Sequence, residues 1–208
     1  HLRAPGFGRA PVFVGGPRAY VVGSRMELRP RPVLTGRRVR LRPLVASDAD
    51  AMFAAVEDAE TRRLTGTRGT FTRERVRAWC AGLEAAEDRI DLAITSRQDN
   101  AFLGEAVLNE IEPLDRRASF RIALAGMRHV GRGYGGEAAR LLLGHAFDVL
   151  RLHRVELEVY AFNPRAIHVY EKLGFRREGV RRDALWQDGA FHDAIQMGML
   201  EGELVRGA

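Results

Sequence analysis

The chain of 208 residues is short of several things, and each shortage narrows what it can be. It has one cysteine, Cys80. That excludes an internal disulfide framework and any multi-cysteine metal site, and it fits a reduced, cytoplasmic setting. It has one lysine, Lys172, so no Gly-Lys-Ser/Thr phosphate loop is present. No run approaches the roughly 18 consecutive apolar residues that a membrane span needs, so no membrane partner is expected. The histidines His129, His145, His153, His168 and His192 are scattered without ligand spacing, so no metal is expected.

What is present is ample apolar material. Hydrophobic residues make up 46% of the chain, enough for one sizeable core, and the length suits a single domain. The formal charge of +6 is unevenly placed: the first 40 residues hold nine arginines against Glu27 alone, leaving residues 41–208 slightly acidic. A basic leader on a mildly acidic body shows no basic face, so nucleic acid is not an expected partner. Residues 1–25 are rich in Gly, Pro and Arg without periodicity and read as a leader or extension; 26–208 read as one domain.

Periodicity then orders the elements. Val39 to Leu44 alternates as a strand does, and Ser47-Asp48 opens a helix carrying Ala51, Met52, Ala55 and Val56 on one face. A loop over 65–69 leads to a second helix, capped near Thr72, with Val76, Trp79, Cys80 and Leu83 at helical spacing. Cys80 on that stripe reads as core. Strands over 91–94, 102–111 and 119–124 with short links imply an antiparallel meander. A helix from Glu137 to Leu150, a strand over 155–159 and a helix between Asn163-Pro164 and Gly174 follow. Asp188-Gly189 marks a closing hairpin.

Between the meander and the long helix lies Gly131-Arg132-Gly133-Tyr134-Gly135-Gly136. Glycines let backbone N–H groups approach a ligand closely, and a helix N-terminus adds partial positive charge, so the segment reads as an anion cradle. It also spells GxGxxG, with Glu156 and Glu158 about 20 residues on, as a dinucleotide fingerprint requires. But the polar Met127-Arg128-His129 precedes it in place of a buried parallel strand, and the upstream meander is antiparallel.

The segment Val130 to Ala138 resembles the acyl-CoA motif of the GNAT superfamily, Gln/Arg-x-x-Gly-x-Gly/Ala, with Gly133 and Gly135 at the motif glycines and Val130 in place of Gln/Arg. Asn163-Pro164-Arg165-Ala166, followed by Tyr170-Glu171-Lys172-Leu173-Gly174-Phe175, is similar to a second segment of the same family, one strand and one helix later. The resemblance covers about 36–200 and extends to the ribosomal-protein-alanine and spermidine N-acetyltransferase branches. It implies an α/β (α+β) GNAT fold: a mixed, mostly antiparallel sheet of about seven strands flanked by about four helices.

The resemblance further implies acetyl-CoA as co-substrate, transferring its acetyl group directly to an amine. Cofactor contacts would come from Ile122, Ala123 and Leu124 at a splayed gap between two strands, from Val130, Gly131, Arg132, Gly133, Tyr134, Gly135 and Gly136, and from Asn163, Ala166 and Tyr170. Tyr170 is the candidate general acid, with a core tyrosine as the alternative. Glu110 and Glu105 are candidate bases. Five residues apart, they face opposite sides of a regular strand unless a bulge intervenes, and a water chain could replace both. The acceptor is open among a protein N-terminus or lysine, a polyamine and an amino-sugar. A polycation would call for an acidic mouth, for which Glu57, Asp58, Glu60, Glu110, Glu112 and Asp115 are available, although a solvated face is the favoured reading of these six. The alternatives are an acyl-CoA-binding regulatory domain or a toxin-like domain. Association into a homodimer is compatible with the family.

Overall fold

The structure is a computed structural model that describes residue 26 and residues 28–206; the leader expected over 1–25 lies outside the described residues. An eight-stranded sheet runs β1 (Leu34–Thr35), β2 (Val39–Pro43), β3 (Ile90–Ser96), β4 (Phe102–Glu112), β5 (Arg117–Leu124), β6 (Arg154–Tyr160), β8 (Ala190–Leu200), β7 (Arg176–Gln187) across its width. Helices α1 (Ala49–Glu57), α2 (Ala59–Thr65) and α3 (Arg73–Gly82) cover one face. Helices α4 (Tyr134–Asp148) and α5 (Pro164–Leu173) cover the other.

Strands β1 to β5 are antiparallel neighbours, as the meander implied. Among the described residues the one parallel pair is β5 with β6, joined through α4. Their pairing holds only for Arg117–Arg154, Ala118–Val155 and Ser119–Glu156. Beyond it β6 stays paired with β8 along its whole length, so β5 and β6 part and leave unpaired strand edges facing a gap.

The larger core lies under α4 and α5, where Leu142, Leu143, Ala146 and Ile167 meet Leu92, Leu108, Val155 and Met197. The smaller one lies under α1 and α3: Met52, Val76, Cys80 and Leu83 pack on Leu44 and Ala93. Cys80 is buried, and that burial pushes its thiol up to about 11, so it is a core residue and not a nucleophile at neutral pH.

The described residues hold one strand and one α-helix more than the sequence implied. The added strand is β1, only two residues long and so without periodicity. The added helix is α2. Asp58 is extended, at φ −66° and ψ 119°, which ends α1, and its Oδ1 accepts from the Thr61 backbone N–H at 2.8 Å, which caps α2. Strand β7 of the closing hairpin begins at Arg176, in a mostly exposed, charged stretch without the apolar alternation that marks a strand in sequence.

Candidate active site

Two glycines shape the site. Gly133 caps α4 with φ +81°, and a Cβ there would collide with the Arg38 guanidinium, which donates from Nη1 to the Arg132 carbonyl at 2.9 Å. The first turn of α4, Tyr134 to Gly136, lines the gap between β5 and β6, and its amides have no intrahelical acceptor. Gly104 has φ +145°, and a Cβ there would meet the Ala123 carbonyl. It sits beside the register shift between β4 and β3, at a close approach of β4 to β5.

The gap is a cleft of about 610 Å³. Ile122, Ala123, Leu124, Val130, Gly131, Gly133, Tyr134, Gly135, Gly136, Asn163, Ala166 and Tyr170 all line it. Arg132 does not; its carbonyl instead holds Arg38 beside the turn. Asn163 acts as a cap, its Oδ1 accepting from the Ala166 N–H at 3.2 Å, with Pro164 at the first helical position. Arg165 and His129 add basic side chains to the cleft wall. His129 is biased toward its neutral form by burial and by the nearby Arg128 and Arg132.

Tyr170 lies on the inward face of α5, 9% exposed, in edge contacts with Phe120 and Phe175. Burial pushes its hydroxyl up to about 12, so it keeps its proton across the neutral range.

A second cavity, about 480 Å³, adjoins the cleft on the α1–α3 side. The two share Thr61, Thr65, Thr67, Arg121, Ala123 and Leu124, so β5 and α2 form the boundary between them. Glu105 stands in this second cavity, only 7% exposed. Its Oε1 accepts from Arg121 Nη2 at 2.9 Å, while Oε2 is buried with no hydrogen-bond partner. Burial raises the Glu105 pKa; Arg121 and Arg89 oppose that rise and Asp91 adds to it. A buried carboxylate oxygen without a partner is rare and costly in a folded protein, and such atoms concentrate where a ligand completes them.

Glu110 is placed differently. The bulge that was the condition for both glutamates to share a face does occur: β4 shifts register between Asn109 and Glu112, with Glu110 at φ +52°. It turns Glu110 outward, where the exposed carboxylate accepts from the Ser119 hydroxyl at 2.6 Å and lines neither cavity. The acidic mouth is likewise not assembled. Asp58 caps α2, Glu60 pairs with Arg63, Glu57 faces Arg62, Glu112 accepts from the Leu114 N–H and Asp115 faces Arg117. With Glu110, none of these six carboxylates lines either cavity.

Sequence reasoning missed Arg121 and the arginines around the second cavity. The signal was present in the register: Glu105 lies opposite Ala123, which makes Arg121 its diagonal neighbour on the same face.

A mixed sheet splayed at its parallel pair, with a glycine turn and helix N-terminus at the mouth of the gap, defines the GNAT architecture. The chain belongs to the GNAT acetyltransferase family: the family model described as Acetyltransferase (GNAT) domain matches residues 38–176. It is 33% identical over 101 residues to the spermidine N(1)-acetyltransferase of Vibrio cholerae, a match covering 49% of this chain and 58% of that enzyme, little more than half its length. It is 30% identical over 172 residues to the uncharacterized N-acetyltransferase YokL of Bacillus subtilis, covering 81% of this chain and 93% of that one. The crystal structure of spermidine N-acetyltransferase from Vibrio cholerae in complex with CoA and spermine superposes with a TM-score of 0.74 at 22% identity, covering 79% and 96% of the two chains. At that identity the likeness speaks for the fold.

Among the described residues no group of three or more His, Cys, Asp or Glu is arranged to hold a metal ion, and no helix is long and apolar enough to cross a membrane.

Proposed function

We propose that the protein is an N-acetyltransferase that passes the acetyl group of acetyl-CoA directly to an amine in a reduced, cytoplasmic setting. The observation that carries this reading is that the two cavities adjoin across β5. A cleft with an anion cradle at one end meets, across β5, a cavity lined by Glu105, whose buried Oε2 has no hydrogen-bond partner.

The cradle suits a pyrophosphate: the α4 N-terminus presents unpaired amides and partial positive charge, and Arg38 and Arg132 stand beside it. The unpaired edges of β5 and β6 suit an amide-bearing arm, which can pair with strand backbone as a short strand would. Bound there, acetyl-CoA supplies an activated acyl carbon with a thiolate leaving group.

The chain's own residues then handle protons. As the new C–N bond forms and the C–S bond breaks, the amine loses a proton and the sulfur gains one. Glu105, which lines the neighbouring cavity, is the acceptor available there, and its raised pKa brings it closer to the range in which a base works at neutral pH. Tyr170 is the donor available in the cleft. Its hydroxyl, pushed up to about 12, is a much weaker acid than a thiol near ~8.5. Tyr170 therefore acts by hydrogen-bonding the developing thiolate, which takes its proton from solvent while the amine proton rests on Glu105. Glu110, exposed and bonded to Ser119, is the weaker candidate for the base.

Following thiol release from acetyl-CoA with a panel of amines tests this reading. Amine-dependent release supports it. Binding of acetyl-CoA with no release across the panel would favour an acyl-CoA-binding regulatory domain.

A further inference from the structure

The cavity next to the cleft carries the wrong charge for a polycation. Its lining holds four arginines, Arg62, Arg75, Arg89 and Arg121, against the single carboxylate of Glu105. Arg89 is matched by the buried Asp91, gripped through Nε at 2.7 Å and Nη2 at 2.7 Å. Arg121 is shared with Glu105, yet its side chain remains 52% exposed, so donors are left over for a ligand. Arg62 donates to the Val56 and Gly69 carbonyls at 3.2 and 2.7 Å and faces Glu57 at 3.5 Å, and Arg75 is exposed on α3. Positive charge is therefore in excess around a cavity whose remaining wall, with Trp79, Phe71, Met52 and Val56, is apolar and aromatic.

Glu105 and Arg121 form a zwitterionic pair 2.9 Å apart, with a carboxylate oxygen unsatisfied on one side and guanidinium donors free on the other. Such a pair is complementary to a ligand with an amino group and an acidic group a few bonds apart. A polyamine would complete the Glu105 oxygen but would bring its second cation against the arginines, a like-charge contact that selects against it.

We propose that the acceptor is a small amine that also carries a carboxylate or comparable anion on an apolar or aromatic body. Its nitrogen sits at Glu105, its anion on Arg121 and the arginine rim, and its body on the aromatic wall. This rests on the acetyl-transfer reading and specifies its substrate class.

The test compares kcat/KM for two matched pairs, L-phenylalanine against phenethylamine and L-tryptophan against tryptamine, with spermidine as the polycation, while acetyl-CoA binding is measured separately by calorimetry. In the wild type, the carboxylate-bearing member of each pair is expected to exceed its partner and spermidine by at least about tenfold, the value of one well-formed charge-assisted contact. Arg121→Ala is expected to collapse that ratio toward one. Arg75→Ala, at an exposed helical position that tolerates truncation, is expected to lower it as well, so the inference stays testable if Arg121→Ala fails to fold. Equal use of both members, a preference for spermidine, or no turnover of any carboxylate-bearing amine by protein that binds acetyl-CoA overturns the inference while leaving acetyl-CoA recognition intact. Failure to bind acetyl-CoA overturns the transfer reading, and this inference falls with it.

Discussion

Single atoms decide most of the chemistry here. Glu105 Oε2 is buried without a partner, and burial raises the pKa of its carboxyl group. A raised folded-state pKa means that the folded protein binds more protons than the unfolded chain between the unfolded value, about 4.3, and the raised value. Stability therefore falls as pH climbs through that window. Glu105→Gln removes the titration, so its melting temperature relative to wild type should rise with pH across the window and then level off; a flat or falling difference contradicts the assignment. The same variant should lose acetyl transfer by roughly 10²-fold or more, in the range expected for removing a general base. Tyr170→Phe keeps the ring contacts with Phe120 and Phe175 and removes only the hydroxyl. It should lower kcat by on the order of 10²-fold while leaving acetyl-CoA affinity within about twofold. Unchanged kcat would reduce Tyr170 to a core residue.

Elements position those atoms, and their caps are the weak points. The Asn163 side chain caps α5, the helix that carries Tyr170, and Asn163→Ala should cost about 1 kcal/mol in denaturant unfolding. A loss well beyond that would mean that Asn163 holds more than its helix.

Element scale is also where the sequence was most and least readable. The Asn163-Pro164 opening and Gly174 ending of α5 are local signals, and the helix spans Pro164–Leu173 as they imply. The glycine turn at the entrance to α4 is equally local. The bulge over Asn109–Glu112 was not readable, because neither Gly nor Pro marks it and Glu110 alone takes the left-handed conformation. That single residue sends Glu110 outward and leaves Glu105 as the carboxylate in the cavity. Strand parity framed the choice between the two glutamates; tertiary packing of β4 on β5 settled where each went. The rest of the arginine rim was hidden for a related reason: Arg62, Arg75 and Arg89 come from α2, α3 and the segment before β3, each residue ordinary in its own stretch.

At the scale of the whole molecule, the sheet separates two unequal halves. The α4–α5 face buries a continuous apolar core, while the α1–α3 face buries a small one and surrounds it with the cavity and its charges. Regions with little buried apolar surface open most easily. Amide exchange should therefore be faster in α1 to α3 than in α4, and an acceptor that fills the cavity should slow it. Uniform protection across both faces would contradict that division. An acceptor site built on the softer half and a cofactor site on the firmer half would let one scaffold keep its acetyl donor while its amine specificity varies.

The central claim is that the glycine turn and the splayed strands hold acetyl-CoA, and calorimetric titration of Gly133→Ala beside the wild type tests it most directly. Alanine at φ +81° costs roughly 1–2 kcal/mol of backbone strain, and its Cβ meets the Arg38 guanidinium beside the cradle. The expected result is saturable one-site binding of acetyl-CoA to the wild type, weakened at least about tenfold in the folded variant. No saturable binding to the wild type, or the same affinity in both proteins, would contradict it.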